Sequence, residues 1–243
     1  MRATRGLYYV ALATTMLIAS WQRCVAAENW DGSVAITSDY LMRGVSQSAG
    51  NPAAQIEARF HTQSGWQAGV LVSSNELNPV DGRTAEVDAS LGYSWLIRSD
   101  WSTSLSLTHY ASPWSKHSGL YEYDEVIVNA AYQDIAYVAA AWSPNTSRLF
   151  QGIGWSKKQN AAAYDAGLRW PLPASFALTA GVGYYDLSHL IGRGYWYWNA
   201  GLSYSRRAFN AEIGYFATNA TAKTLFYDKV VNDGWAATLL WHF

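Results

Sequence analysis

Charged side chains recur at every second position in several short segments of this sequence. Glu57 and Arg59 stand two apart, as do Glu86 and Asp88, and apolar or small residues occupy the positions beside them. Alternation with a period of two predicts β-strands that have one polar and one apolar face. Gathered on one side of a sheet, the polar side chains would line an aqueous path. The predicted lining consists of Asp39, Arg43, Glu57, Arg59, Glu86, Asp88, Glu125, Asp165, Arg169 and Glu212.

This predicted lining contains more acids than bases. Seven of its members are carboxylic acids and three are arginines, so a path between them would weakly prefer cations. The alternative is a paired interior, because the burial of an unpaired charge is costly. Asp39 and Arg43 stand four apart on one predicted strand face, and in the paired interior each would bond to a neighbouring strand.

The spacing of the remaining polar residues gives little support to other kinds of chemistry. His109 is predicted to face outward, whereas Ser104 and Ser106 lie on the opposite face of the same strand, so they do not specify a catalytic triad. The five histidines are scattered and the single cysteine is Cys24, so no metal-ligand cluster is predicted. No glycine-rich phosphate loop opens a helix. We expect neither enzyme activity nor a cofactor.

The first 27 residues have the features of a cleaved secretory signal peptide. Arg2 and Arg5 precede a mostly apolar stretch over residues 7–21, and small residues end the segment at Ala27. We expect cleavage after Ala27, which leaves residues 28–243 as one domain. The formal net charge of −1 for the whole chain gives no indication of a nucleic-acid partner.

Twelve segments beyond residue 27 have the length that a tilted strand needs to cross a bilayer. They span residues 33–45, 53–62, 66–75, 84–95, 101–110, 123–132, 135–142, 161–170, 176–186, 195–205, 209–217 and 234–243. Short and long connections alternate between them, as in barrels with short periplasmic turns and long outer loops. Because lipid cannot hydrogen-bond a free strand edge, the sheet must close. The sequence therefore predicts an all-β fold, a closed antiparallel transmembrane β-barrel of about 12 strands in up-and-down order.

Aromatic residues support this interpretation. The chain contains 13 Trp and 17 Tyr, which favour the boundary between an apolar layer and water. Phe243 ends an amphipathic segment and resembles the recognition signal of outer-membrane barrels for their assembly machinery, so we predict that role for it. The residues predicted to form interfacial girdles are Trp66, Trp95, Trp101, Trp142, Trp170, Trp196, Trp235 and Trp241.

The opening of the predicted domain resembles a known bacterial family. Residues 37–48 read Thr-Ser-Asp-Tyr-Leu-Met-Arg-Gly-Val-Ser-Gln-Ser and are similar to the S-D-Y-x-x-R-G-x-S-Q motif of the TorF-like porin family, whose function is unassigned. Short aromatic and glycine patterns at residues 181–186 and 195–201 extend the resemblance over essentially the whole predicted domain. The resemblance implies the outer membrane of a Gram-negative bacterium and a porin role, and it implies no catalytic residues.

Together these features predict a porin-type channel of the outer membrane for passive diffusion of small polar solutes or ions. Its expected partners are outer-membrane lipids and the barrel assembly machinery, with no nucleic acid. The alternative is a non-conducting barrel that binds or adheres through its outer loops, chiefly residues 143–160 and 218–233.

Overall fold

The computed structural model describes residues 29–76, 82–98, 100–116, 118–133, 135–147, 158–226 and 230–243. Most of these residues lie in β-strands. The predicted signal peptide, residues 1–27, lies outside the described ranges, so its cleavage stays a prediction. In the part of the chain that the structure describes, no helix is both long and apolar enough to cross a bilayer.

The described residues form one closed barrel, a small internal hairpin, three short α-helices and one 3-10 turn at Pro173–Ser175. The strands are β1 (Asn29–Thr37), β2 (Leu41–Met42), β3 (Val45–Ser46), β4 (Ala53–His61), β5 (Trp66–Asn75), β6 (Thr84–Arg98), β7 (Trp101–Ala111), β8 (Tyr123–Tyr132), β9 (Ala136–Thr146), β10 (Gln159–Pro171), β11 (Phe176–Asp186), β12 (Tyr195–Arg206), β13 (Phe209–Thr218) and β14 (Gly234–His242). The helices are α1 (Ser118–Tyr121), α2 (Ser188–Ile191) and α3 (Ala220–Leu225).

The barrel consists of β1 and β4 to β14, and its antiparallel neighbours follow chain order. It closes because β1 pairs with both β4 and β14. The prediction of a closed barrel of about twelve antiparallel strands is therefore confirmed. Side chains alternate as predicted, since Trp235, Leu239 and Trp241 on β14 are exposed whereas Ala236 and Leu240 are buried in the interior.

The two rims of the barrel carry connections of different length. At one rim, which we call the turn rim, short links such as residues 62–65 and 207–208 join the strands. At the other, the loop rim, the links include residues 38–52, 187–194 and 219–233. The predicted girdle tryptophans are all exposed, and they lie near the turn rim (Trp66, Trp95, Trp101, Trp170 and Trp241) or near the loop rim (Trp142, Trp196 and Trp235).

The first predicted strand, residues 33–45, is wrong beyond Thr37. The strand ends there because Asp39 bonds to the side chains of Ser46 and Ser48 instead of continuing the ladder, and such competition with a ladder is a known effect of Ser and Asp residues. The Thr37 hydroxyl donates to the Asp39 carbonyl at 2.8 Å, and the Ser38 hydroxyl accepts from the Ala237 amide at 3.0 Å. The chain then bends into the lumen of the barrel, so Asp39 and Arg43 do not share a strand face.

Tyr197 lies flat over Gly183 on the inner wall. The two residues are direct partners between β11 and β12, and a Cβ atom at position 183 would come within 2.3 Å of the Tyr197 ring. The ring is held in place because its hydroxyl donates to the Asp165 carboxylate at 2.5 Å. Glycine at 183 is therefore required by close approach, and not by backbone conformation.

Gly183→Ala is expected to lower the free energy of unfolding by about 1–3 kcal/mol, because the added methyl group overpacks the site and displaces Tyr197. Urea unfolding of the refolded protein in lipid vesicles would measure the change. Gly119→Ala is the matched control, since a Cβ atom there meets nothing within 4 Å. Equal stability of the two variants would contradict the packing argument.

Candidate functional site

A tight hairpin from the loop rim enters the lumen. It consists of β2 and β3, which pair through Leu41 with Ser46 and Met42 with Val45. Between them, Arg43 and Gly44 have φ values of 52° and 74°, as a type I′ turn requires at both central positions. Position 44 also has no room for a side chain, since a Cβ atom there would come within 2.5 Å of the Thr218 methyl group.

Asp39 fixes the base of this hairpin. Its carboxylate accepts hydrogen bonds from the hydroxyl groups of Ser46 and Ser48. The amide of Tyr40 donates to the Ser48 hydroxyl at 2.9 Å, and the amide of Gln47 donates to the Tyr40 carbonyl at 2.6 Å. Asp39 therefore holds the hairpin closed on itself and does not line the barrel wall.

Arg43 joins the hairpin tip to the wall that lies across the lumen from β1. Its two terminal nitrogens donate to the two carboxylate oxygens of Glu125 on β8, at 2.7 and 2.9 Å. The guanidinium carbon also lies 4.6 Å from the centre of the Tyr185 ring on β11, in cation–π geometry. Burial lowers the pKa of Arg43, but Glu125 together with Tyr185 and Tyr197 outweighs burial, so the pKa is raised overall and the guanidinium stays charged.

Further contacts hold the hairpin on other sides. The Tyr40 hydroxyl donates to Glu86 on β6 at 2.9 Å, and burial together with the Glu86 charge raises the pKa of Tyr40, which keeps this donor protonated. Leu41 packs against Phe216 on β13 and Ala236 on β14. Arg43 also contacts Glu125 on β8 and Tyr185 on β11. The hairpin therefore touches the wall on several sides and crosses the lumen.

A small apolar cluster covers the hairpin at the loop rim. Val45 packs with Leu187 and Leu190 of the β11–β12 connection and with Ala222 of α3. The amide of Ser46 donates to the Val230 carbonyl at 2.7 Å. The hairpin is thus fixed from above by two outer connections as well as by the barrel wall.

A second charged group lies in the lumen near the turn rim. Asp31 on β1 accepts from Arg59 at 3.1 Å and contacts His61 at 2.6 Å, both on β4. Glu57 stands 3.6 Å from the same Arg59 nitrogen. The paired interior, which the sequence analysis gave as the alternative to an open charged path, is therefore observed at this rim and at Arg43.

The remaining predicted lining residues also occupy the interior. Asp165 on β10 accepts from Tyr197, and Glu212 on β13 accepts from the Thr179 hydroxyl at 3.0 Å. Arg169 on β10 is the direct strand partner of Thr179 and belongs to the same group. The structure thus places every predicted lining residue on the inner wall or in the inserted segment, while their role in lining a conducting path stays a prediction.

Several interior residues of this site were not predicted. Asp31 was missed because the first strand was predicted to begin at residue 33. The tyrosines Tyr40, Tyr110 and Tyr185 were missed because aromatic residues were assigned to girdles. Tyr110 could have been predicted from the alternation, because the even-numbered residues of β7, such as Thr108, face the lumen.

Many polar atoms of the inner wall lack a protein partner. Buried polar groups in proteins are almost always hydrogen-bonded, either to protein or to water. These atoms therefore require water inside the lumen. Among the described residues, side-chain atoms of this kind belong to Gln55, Gln67, Asp88, Thr108, Asn129, Asn210 and Glu212.

A histidine on the outer wall near the loop rim lies between two carboxylates. His109 contacts Asp124 at 2.8 Å through Nδ1 and stands 3.5 Å from Glu122 through Nε2. Ser104 and Ser106 are buried on the lumen side of the same strand. The sequence prediction that His109 and these serines lie on opposite faces therefore agrees with the structure.

Comparison with known families places the chain in one of them. The family described as "Bacterial protein of unknown function (Gcw_chp)" matches residues 24–243, which is nearly the whole chain. The chain belongs to the Gcw_chp family. The resemblance of residues 37–48 to TorF-like porins stays a prediction. No curated protein matches this Gcw_chp sequence.

Solved porins and channels share the fold of this Gcw_chp protein. NanC porin has a TM-score of 0.57 and 10% identity, over 87% of this chain and 98% of that chain. KdgM porin has a TM-score of 0.50 and 9% identity, over 88% and 98%. The CymD monoaromatic hydrocarbon channel has a TM-score of 0.50 and 9% identity, over 98% and 94%. At such identities the likeness shows the barrel fold alone.

Proposed function

We propose that this Gcw_chp protein is a porin-type channel of the Gram-negative outer membrane that passes small polar solutes or ions. The observation that carries the proposal is a closed barrel whose inner wall is charged, polar and in need of water, while its outer wall is apolar. Exposed side chains such as Ile36, Leu91, Leu107 and Leu239 give that outer wall the character of a lipid-facing surface. The hairpin of β2 and β3 would then form the narrowest part of the path.

The membrane position follows from the same features. Exposed tryptophans near both rims suit the two lipid–water boundaries, and the longer connections suit the outer side of the membrane. Phe243 is exposed, and its backbone exchanges two hydrogen bonds with Gly32 on β1 at 2.9 and 3.0 Å. We retain the proposal that Phe243 is read by the barrel assembly machinery while the barrel is still open.

The charge balance of the interior supports a weak preference for cations. Asp31 adds a further acid to the seven predicted ones, against the same three arginines. Some of these charges compensate one another, as Arg43 and Glu125 do. Near the turn rim, Asp31 and Glu57 place two carboxylates against the single arginine Arg59, and this excess is suited to attract a passing cation.

Planar-bilayer recording of the folded protein, purified in detergent, tests this function. We expect small, reproducible conductance steps and a reversal potential that favours cations under a potassium chloride gradient. Asp31→Asn combined with Glu57→Gln should reduce the cation-to-anion permeability ratio by about twofold or more. Glu122→Gln, a change at an exposed position of the β7–β8 connection, is the control and should leave the ratio as it is.

The non-conducting alternative has one observation in its favour, since the hairpin crosses the lumen and is covered by the outer cluster around Val45. In that case function would reside in the outer connections, chiefly residues 143–160 and 218–233, of which 148–157 and 227–229 lie outside the described residues. Silence from protein shown to be folded by heat-modifiable gel mobility would favour this alternative. Conductance steps would reject it.

A further inference from the structure

The socket that receives the Arg43 side chain is formed by residues of the barrel wall. Glu125 on β8 is 1% exposed and binds the guanidinium through both carboxylate oxygens, at 2.7 and 2.9 Å. The guanidinium carbon lies over the Tyr185 ring on β11, 4.6 Å from its centre. A carboxylate that accepts two N–H donors beside an aromatic face fits a planar guanidinium better than a compact ammonium group.

Contacts within the wall hold this socket in shape. The Tyr110 hydroxyl on β7 donates to a Glu125 carboxylate oxygen at 3.3 Å. Tyr110 also stacks on Tyr123 of β8, with ring centres 4.4 Å apart and planes 11° from parallel. Tyr195 on β12 packs edge to face with Tyr185, with ring centres 5.9 Å apart. Since these contacts join wall strands to one another, we expect the socket to keep its shape when the hairpin tip is absent.

The turn that carries Arg43 does not itself favour an arginine. Arg43 has a φ value of 52° and is the first central residue of the type I′ turn. Asn, Asp and Gly are preferred there, because most other side chains are strained at positive φ. The arginine is therefore explained by the contact of its side chain with the socket. It is an occupant that the chain itself supplies.

We propose that Glu125, Tyr110 and Tyr185 form a binding site for a solute that carries a guanidinium group, and that Arg43 occupies this site as a competing internal ligand. An incoming guanidinium takes both carboxylate oxygens of Glu125 and the face of Tyr185 in place of Arg43. The exchange releases the hairpin tip, so the solute controls the position of the hairpin in the path. This inference rests on the proposed function, because the solute reaches the socket through the lumen, but binding can be measured without conduction.

Arg43→Ala empties the socket and leaves its wall residues in place. Calorimetric titration of this folded variant in detergent micelles with methylguanidinium chloride, in buffer of about pH 8 that favours the ionised carboxylate, is the direct test. A Kd on the order of 1 mM is expected for so small a ligand. The parent protein should bind methylguanidinium at least about tenfold more weakly, because the ligand must displace Arg43. Tighter binding after removal of a side chain distinguishes a competing occupant from a merely structural arginine.

Three comparisons in the Arg43→Ala background locate the binding. Glu125→Gln should weaken methylguanidinium binding by about tenfold or more, because it removes the charge that accepts both donors. Tyr185→Leu removes the aromatic face and should weaken binding by about threefold. Glu122→Gln, an equal change at an exposed position of the β7–β8 connection, is the control and should leave the affinity as it is.

The choice of ligand provides a further comparison. Methylammonium carries the same charge but cannot present two parallel donors, so it should bind at least about fivefold more weakly than methylguanidinium. Equal affinity for the two ligands would overturn the proposal, as would equal affinity with and without Glu125→Gln. If Arg43→Ala does not fold, replacement of residues 38–52 by an Asn-Gly turn empties the same socket, and the same comparisons in that shortened barrel decide.

A bilayer recording separates the failure of this site from the failure of the channel. In a conducting parent protein, methylguanidinium should lengthen the time spent at a larger conductance level, and Glu125→Gln should abolish that dependence. A silent protein whose binding of methylguanidinium depends on Glu125 would support the site and reject the channel. A conducting protein whose binding does not depend on Glu125 would support the channel and reject the site.

Discussion

Replacing residues 38–52 by a two-residue Asn-Gly turn is expected to raise the single-channel conductance on the order of fivefold, because the hairpin crosses the lumen and contacts the wall on several sides. Thr37 and Ala53 are direct partners between β1 and β4. A two-residue type I′ turn joins strands in that register without altering the ladder. Planar-bilayer recording at symmetric salt would measure the change.

This prediction needs evidence that the shortened barrel still closes. Heat-modifiable gel mobility reports a folded barrel, and Lys223→Ala on α3 serves as a control that leaves the hairpin intact and should not change the conductance. A folded, shortened barrel with the conductance of the parent protein would show that the hairpin is not the constriction. The narrowing would then lie among the inner wall side chains.

The Arg43–Glu125 pair is expected to show a larger coupling than the exposed ion pairs of the protein, because both side chains are buried. Arg43→Ala leaves a buried, unpaired carboxylate and should lower the free energy of unfolding by about 3–5 kcal/mol. The double change Arg43→Met with Glu125→Gln removes both charges and should recover most of that loss, since a buried pair is often replaceable by neutral groups. Urea unfolding in lipid vesicles of the parent protein, Arg43→Met, Glu125→Gln and the double variant, read as a double-mutant cycle, measures the coupling.

The exposed pair of Lys223 and Asp233, 2.6 Å apart, is the matched comparison. Exposed ion pairs contribute about 0.2–1 kcal/mol, so Lys223→Ala should have little effect on the free energy of unfolding. A loss in Arg43→Ala no greater than that in Lys223→Ala would mean that the hairpin tip is hydrated and that its ion pair is screened. The crossing of the lumen would then contribute little to stability.

The barrel itself could be predicted from the sequence because its determinants are local. Each wall strand alternates between lipid-facing and lumen-facing side chains, as Trp235, Leu239 and Trp241 against Ala236 and Leu240 show on β14. Since a side-chain period of two determines the face of every residue, the lining residues on the wall strands could be assigned before any contact was known. Only the strand ends required the structure.

The hairpin could not be predicted in the same way because the sequence of residues 38–46 is compatible with two structures, a continued strand and a tight hairpin. The segment continues the alternation of β1, so Asp39 and Arg43 were assigned to one strand face. Asp39 instead bonds to Ser46 and Ser48, and the Arg-Gly pair adopts the two positive φ values of a type I′ turn. The contact that anchors this arrangement joins Arg43 to Glu125, 82 positions apart in the sequence, and no local pattern reports a contact of that separation.

The attachment of the hairpin determines how its motion relates to the stability of the barrel. Both ends of the inserted segment join neighbouring strands, β1 and β4, at a single rim. It can therefore leave the lumen without breaking a hydrogen bond between any two wall strands. Its opening involves its own side-chain contacts and those of the outer cluster, whereas unfolding of the wall involves every ladder. We therefore expect two cooperative units of unequal stability, in which the less stable hairpin lies inside the lumen that the more stable wall encloses.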